Sequence, residues 1–111
     1  ANFVTCERWY AEQFAYLLDQ LSSAVDAETG APLLDDTLVF WAQELGDGRM
    51  HTCEAVPWVL AGSGGGFFST GRTVDLTGVT HDAVLVSIAH AFGLPISSIG
   101  VGSSGPAEAL R

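Results

Sequence analysis

Lysine is absent from this chain of 111 residues, and the four basic residues are all arginine, set against 13 acidic ones for a formal net charge of -9. So acidic a surface repels phosphate backbones and anionic headgroups at long range, which removes nucleic acid and membrane surfaces from the expected partners. Long apolar runs are missing too. None approaches the ~20 residues needed to cross a bilayer, and the opening residues lack a basic stretch followed by a hydrophobic one. Cysteine is scarce: Cys6 and Cys53 permit one disulfide closing a long loop, or two buried thiols, and the residues leave that choice open. Charge of either sign is sparse at 15%, whereas 48% of the residues are hydrophobic, which excludes intrinsic disorder and calls for a core.

What is present divides into apolar segments separated by polar or glycine-rich ones. From Glu7 to about Val25, Tyr10, Phe14, Leu17, Leu18, Leu21 and Ala24 recur at steps of three and four, the period of an amphipathic helix, with Thr5 available to cap its start. Asp26 to Pro32 reads as a loop from its Gly and Pro. Strands are expected over Thr37 to Gln43 and Val56 to Ala61, the second with Pro57 near its start, where a missing donor is tolerated. Phe67 to Leu76 has a weak extended pattern and is expected as coil with at most one short strand. Thr80 is the expected N-cap, with Asp82 in the first turn, of a helix from His81 to about Phe92 that Gly93 and Pro95 stop.

The chemistry-bearing segment follows the first strand. The apolar run Leu38 to Ala42 ends abruptly in Gln43, Glu44, Gly46 and Asp47, as a strand buried on both faces does where it delivers polar groups to the edge of an α/β sheet. Gly46 to Ala55 has no period of either kind and is the best candidate for a functional loop. At the strand end and in this loop, Glu44, Asp47 and His51 combine carboxylates with an imidazole, donor types suited to a divalent cation such as zinc, manganese or calcium. The competing reading has Glu44 capping a loop and His51 simply solvated. A zinc cluster built on His51, Cys53 and Glu54 finds no second Cys or His pair at finger or deaminase spacing.

Other apparent motifs dissolve on inspection. The stretch Gly62 to Gly66 follows a strand as a phosphate loop does, yet Phe67 and Phe68 follow it where a lysine and a helix start are needed, so it is a turn. No Gly-x-Ser-x-Gly elbow follows a strand. His81 and His90 fall at opposite ends of the second helix, and His90, near its C-terminal end, is expected to be structural.

Four segments together carry a resemblance: Tyr16 to Leu21, Leu33 to Gly46, Val56 to Gly62 and Ala83 to Pro95. Over about Arg8 to Pro95 the chain resembles the C-terminal portion of the alkaline phosphatase and sulfatase superfamily, nearest to an uncharacterised, mostly secreted bacterial branch. The resemblance implies an α/β hydrolase of phosphate or sulfate esters with two divalent metals, held in part by the Asp and His of a strand ending Ser-Asp-His-Gly. The matching residues are Gln43, Glu44, Leu45 and Gly46, so one carboxylate is kept and the imidazole is lost unless His51 supplies it. The nucleophile and the remaining ligands of such a site come from segments N-terminal to the matched region, so no residue of this chain takes a catalytic role. An extracellular or periplasmic location is implied on the same ground.

The expectation is therefore an α/β module, helix, strand, loop, strand, helix, over residues 1–96, with 97–111 as a flexible tail. It is the C-terminal part of a phosphatase- or sulfatase-like protein with a degenerate metal site, or a non-catalytic assembly module. Two strands and two helices leave apolar faces uncovered, so the partner expected is either the N-terminal part of a longer chain or a second copy, completing a larger, mainly parallel sheet.

Overall fold

The computed structural model describes residues 2–101 and 105–111. They form two compact units, Ala1–Gly65 and Gly66–Arg111, each with its own internal packing. The division falls at the glycine stretch Gly62 to Gly66, where Gly64, Gly65 and Gly66 all take positive φ.

The first unit opens with helix α1 (Phe3–Ser23), which begins earlier than its periodicity indicates. Asn2 caps it: its Oδ1 accepts from both the Thr5 amide and the Thr5 hydroxyl at 2.9 Å. Thr5, expected as the cap, is thus the donor to it. A one-turn helix, α2 (Leu33–Asp36), follows Pro32, and the Thr37 hydroxyl closes it on the Leu33 carbonyl at 2.6 Å. Strand β1 (Val39–Ala42) then pairs with β2 (Trp58–Ala61), from Val39 opposite Ala61 to Ala42 opposite Trp58.

The mixed α/β class holds, but this pair is antiparallel, and no larger parallel sheet is present among the described residues. Both strands are also shorter than the expected Thr37 to Gln43 and Val56 to Ala61. The segment between them holds no helix, and parallel pairing requires a crossover, usually helical, to return the chain to the same end of the sheet. Nor are the strands buried on both faces: Val39, Phe40 and Trp41 are half-buried and Ala42 is exposed. On one face Phe14 of α1 reaches Trp41 with ring centroids 5.5 Å apart, and Val59 stays 42% exposed.

The second unit is built on α3 (His81–Ala91), which starts after an extended Thr80 and stops where expected. Gly93 at φ 74° sends its amide to the His90 carbonyl, and Leu94 bonds back to Ala89. Phe67 to Leu76 contains no strand. A 3-10 turn, Glu108–Leu110, ends the chain within residues expected to belong to a tail. Ala107, just before it, is buried against α3: its amide donates to Ser87 Oγ at 2.8 Å and to the Ala83 carbonyl at 3.2 Å. Of that expected tail, residues 102–104 lie outside the described ones.

The core is distributed unevenly. The buried apolar residues are Phe68, Ala83, Val84, Val86 and Ala107, all in the second unit, and no described residue of Ala1–Gly65 is buried.

Candidate functional site

The loop after β1 is held at its root by one residue. Gln43, the first residue past the strand, donates from Nε2 to Glu7 Oε2 of α1 at 3.1 Å, while its carbonyl accepts from the indole Nε1 of Trp58 at 2.9 Å. That indole is fixed in turn by Phe40, edge to face at 4.9 Å between centroids. Glu44 follows immediately and is exposed, whereas Leu45 turns inward and is half-buried.

Beyond Leu45 the chain makes a small hairpin of its own. The Gly46 amide bonds the Thr52 carbonyl at 3.0 Å, the Thr52 amide bonds the Asp47 carbonyl at 3.2 Å, and Asp47 and Thr52 form an isolated antiparallel bridge. At the tip, Asp47 Oδ1 accepts from the amides of Arg49 at 2.8 Å and Met50 at 3.0 Å, a turn in which the side chain stands in for a backbone carbonyl. His51 closes the tip in the left-handed region at φ 55°, and Ala55 does the same at φ 51° where the loop turns toward β2. Gly46 is required sterically, because a Cβ there would run into the carbonyl of Glu54.

Of the three residues expected to bind metal, Glu44 and His51 are exposed on this loop and Asp47 has one carboxylate oxygen committed to the turn. No three His, Cys, Asp or Glu side chains among the described residues come together as a metal site would need. Glu44 and His51, two exposed donors, would leave most of a divalent cation's coordination to water. Cys53 and Cys6 are both unpaired and both exposed, so neither the disulfide nor the pair of buried thiols holds.

The remaining motifs take structural roles. In the glycine stretch, the amides of Gly64 and Gly65 bond the carbonyls of Thr37 and Asp35, and the Ser63 hydroxyl bonds Asp35 as well, so those donors face the chain rather than an anion. His90 lies with Nε2 2.7 Å from the Ile96 carbonyl, which makes Nε2 the donor and leaves Nδ1 to accept from Arg111 at 3.4 Å. A cleft of about 350 Å³ in the second unit is lined chiefly by apolar groups, among them Leu76, Val79, Ala83 and Pro106, with Glu108 as its one carboxylate.

Sequence reasoning passed over Gln43, Glu7 and Trp58, the residues that hold the loop root. One signal was present: Glu7 falls on the same helical stripe as Phe14, Leu18 and Leu21, and a carboxylate on an apolar stripe calls for a polar partner. Compared with family models, curated proteins and solved structures, the chain matches none.

Proposed function

We propose that this chain is a module of an alkaline phosphatase- or sulfatase-like α/β protein that is not catalytic by itself and carries a degenerate metal site on its Gln43 to Ala55 loop. In this reading Glu44 and His51 are the retained donors and Asp47 has passed to a structural role. The module contributes β1 and β2 to a larger, mainly parallel sheet. Its surroundings are supplied by the N-terminal part of a longer chain or by a second copy.

The observation that carries the incomplete-module part of the reading is the lack of any buried residue among those described in the first unit. That unit nonetheless has two apolar strands and a 21-residue helix. On α1, Phe3, Trp9 and Tyr16 are 77%, 54% and 62% exposed. Trp9 and Tyr16 lie two helical turns apart, on a side of the helix away from Phe14, so α1 is apolar toward the sheet and apolar away from it. A helix of that kind belongs between two layers, and exposed aromatic clusters of this extent mark surfaces that are covered in the working protein. The exposure of Trp9 and Tyr16 equally favours a second reading, a homo-oligomeric assembly module without any hydrolase ancestry.

Light scattering with manganese titration tests both parts. The purified chain is expected to self-associate, or to become monodisperse only with added upstream polypeptide; a monodisperse, cooperatively melting monomer would contradict the reading. Manganese is expected to bind weakly and to lose that binding in Glu44→Ala and in His51→Asn, since Asn keeps the left-handed backbone and removes the imidazole. Binding unchanged in both variants places the site elsewhere.

A further inference from the structure

We infer that Gln43 is a clamp that fixes the root of the Glu44 to Ala55 loop, with Glu7 and Trp58 as its positioning residues. Three elements converge on this one residue. The Glu7 carboxylate of α1 takes the side-chain amide at 3.1 Å, the Trp58 indole of β2 takes the carbonyl at 2.9 Å, and β1 delivers the backbone. The bonds act at opposite ends of Gln43, so the peptide leading into Glu44 can neither rotate nor slide along the strand without breaking one of them.

The chemistry of each partner suits the task. A carboxylate only accepts and an indole nitrogen only donates, so Gln43 presents its amide NH₂ to one and its carbonyl to the other, and the arrangement cannot be reversed. Trp58 is doubly constrained, because Phe40 packs edge to face against its ring. Glu7 is half-buried, where a charge-assisted hydrogen bond is stronger than in open water. Beyond Gln43 the loop has its own hairpin bonds at Gly46 and Thr52, so Gln43 is the residue through which the loop root is hydrogen-bonded to both α1 and β2. The functional meaning of the clamp rests on the reading of this loop as the site.

Amide exchange on the full chain tests it. In Trp58→Phe, which keeps an aromatic ring and removes the donor, exchange at the Gly46 and Thr52 amides is expected to speed up about fivefold, the equivalent of one ordinary hydrogen bond, with α1 unchanged. Glu7→Leu should do the same, and Glu7→Gln, which still offers an acceptor to Gln43, should restore slow exchange. Wild-type exchange in both Trp58→Phe and Glu7→Leu overturns the clamp. So does acceleration spread equally through α1, which would mean that these residues hold the whole unit. The manganese titration of the unsubstituted chain stands apart from this: a loop that loosens in these variants but ignores manganese keeps the clamp and removes the metal-site reading.

Discussion

At Gly46 a single hydrogen in place of a methyl group decides whether the loop can close. A Cβ at that position meets the Glu54 carbonyl, and backbone cannot swing aside as the end of a long side chain can. Gly46→Ala is expected to destabilise the protein by about 2 kcal/mol, whereas Gly48→Ala, which meets nothing within 4 Å, should be neutral or slightly stabilising. A urea titration of the two variants checks the contrast, and equal midpoints would show that the loop yields. A second residue acts through charge. The amide of Thr29, at 2.7 Å, and then that of Glu28, at 2.8 Å, hold the Asp26 carboxyl below the ordinary carboxylate range. Because the folded group titrates below its unfolded value, about 3.9 for aspartate, its stabilisation is complete above that pH and is lost as pH falls through the lower folded value. The Thr29 amide resonance should therefore move toward its unstructured position only under stronger acid than an ordinary aspartate needs, and should stop titrating in Asp26→Asn. A midpoint at the ordinary value would mean that the turn does not hold the carboxylate.

Among the elements, α3 and its C-terminal partner show how one buried hydroxyl joins two segments. Ser87 is 1% exposed; its Oγ donates to the Ala83 carbonyl at 3.0 Å and accepts from the Ala107 amide at 2.8 Å. Removing it leaves Ala107 with only the longer bond to Ala83. Ser87→Ala is expected to cost about 1–2 kcal/mol and to release protection of the Ala107 amide, while Ser98→Ala, at an exposed position, changes neither. Thermal melts with amide exchange read both effects. Both ends of α3 fall where Thr80 and Gly93 place them; Gly93 closes the last turn by local capping chemistry, while at the start Thr80 holds the N-cap position in extended backbone without a side-chain capping bond. The start of α1 was misread by the same chemistry: Asn2 and Thr5 are both good caps, and only the folded backbone shows which one accepts and which one donates.

At the scale of the whole molecule, chemistry and packing point the same way. Among the described residues, Ala1–Gly65 has none that is buried, and no cluster of three metal donors is found. On the proposed reading, in which the nucleophile and most metal ligands lie outside this chain, no turnover of an aryl phosphate or aryl sulfate above that of Glu44→Ala is expected, since nucleophile and metal supply most of the rate enhancement in such hydrolases. Measurable turnover lost in that variant would restore an active site to this chain.

Local order was legible in the sequence in outline, as two long helices, two short apolar strands, and a polar loop between them containing Glu44, Asp47 and His51, but the one-turn helix α2 and the closing 3-10 turn were not. The glycine stretch Gly62 to Gly66 was legible as a turn, since glycine permits the positive φ that Gly64 to Gly66 adopt, but that two units divide there was not. Tertiary structure alone decided the rest. Strand direction depends on how the chain returns between β1 and β2, which no periodicity records, and an apolar run such as Leu38 to Ala42 reads alike in a covered parallel strand and in a half-covered antiparallel one. The clamp on Gln43 by Glu7, 36 residues earlier, likewise depends on contacts that exist only once α1, β1 and β2 have been brought together, whereas the turn that takes an oxygen of Asp47 is local, made with Arg49 and Met50.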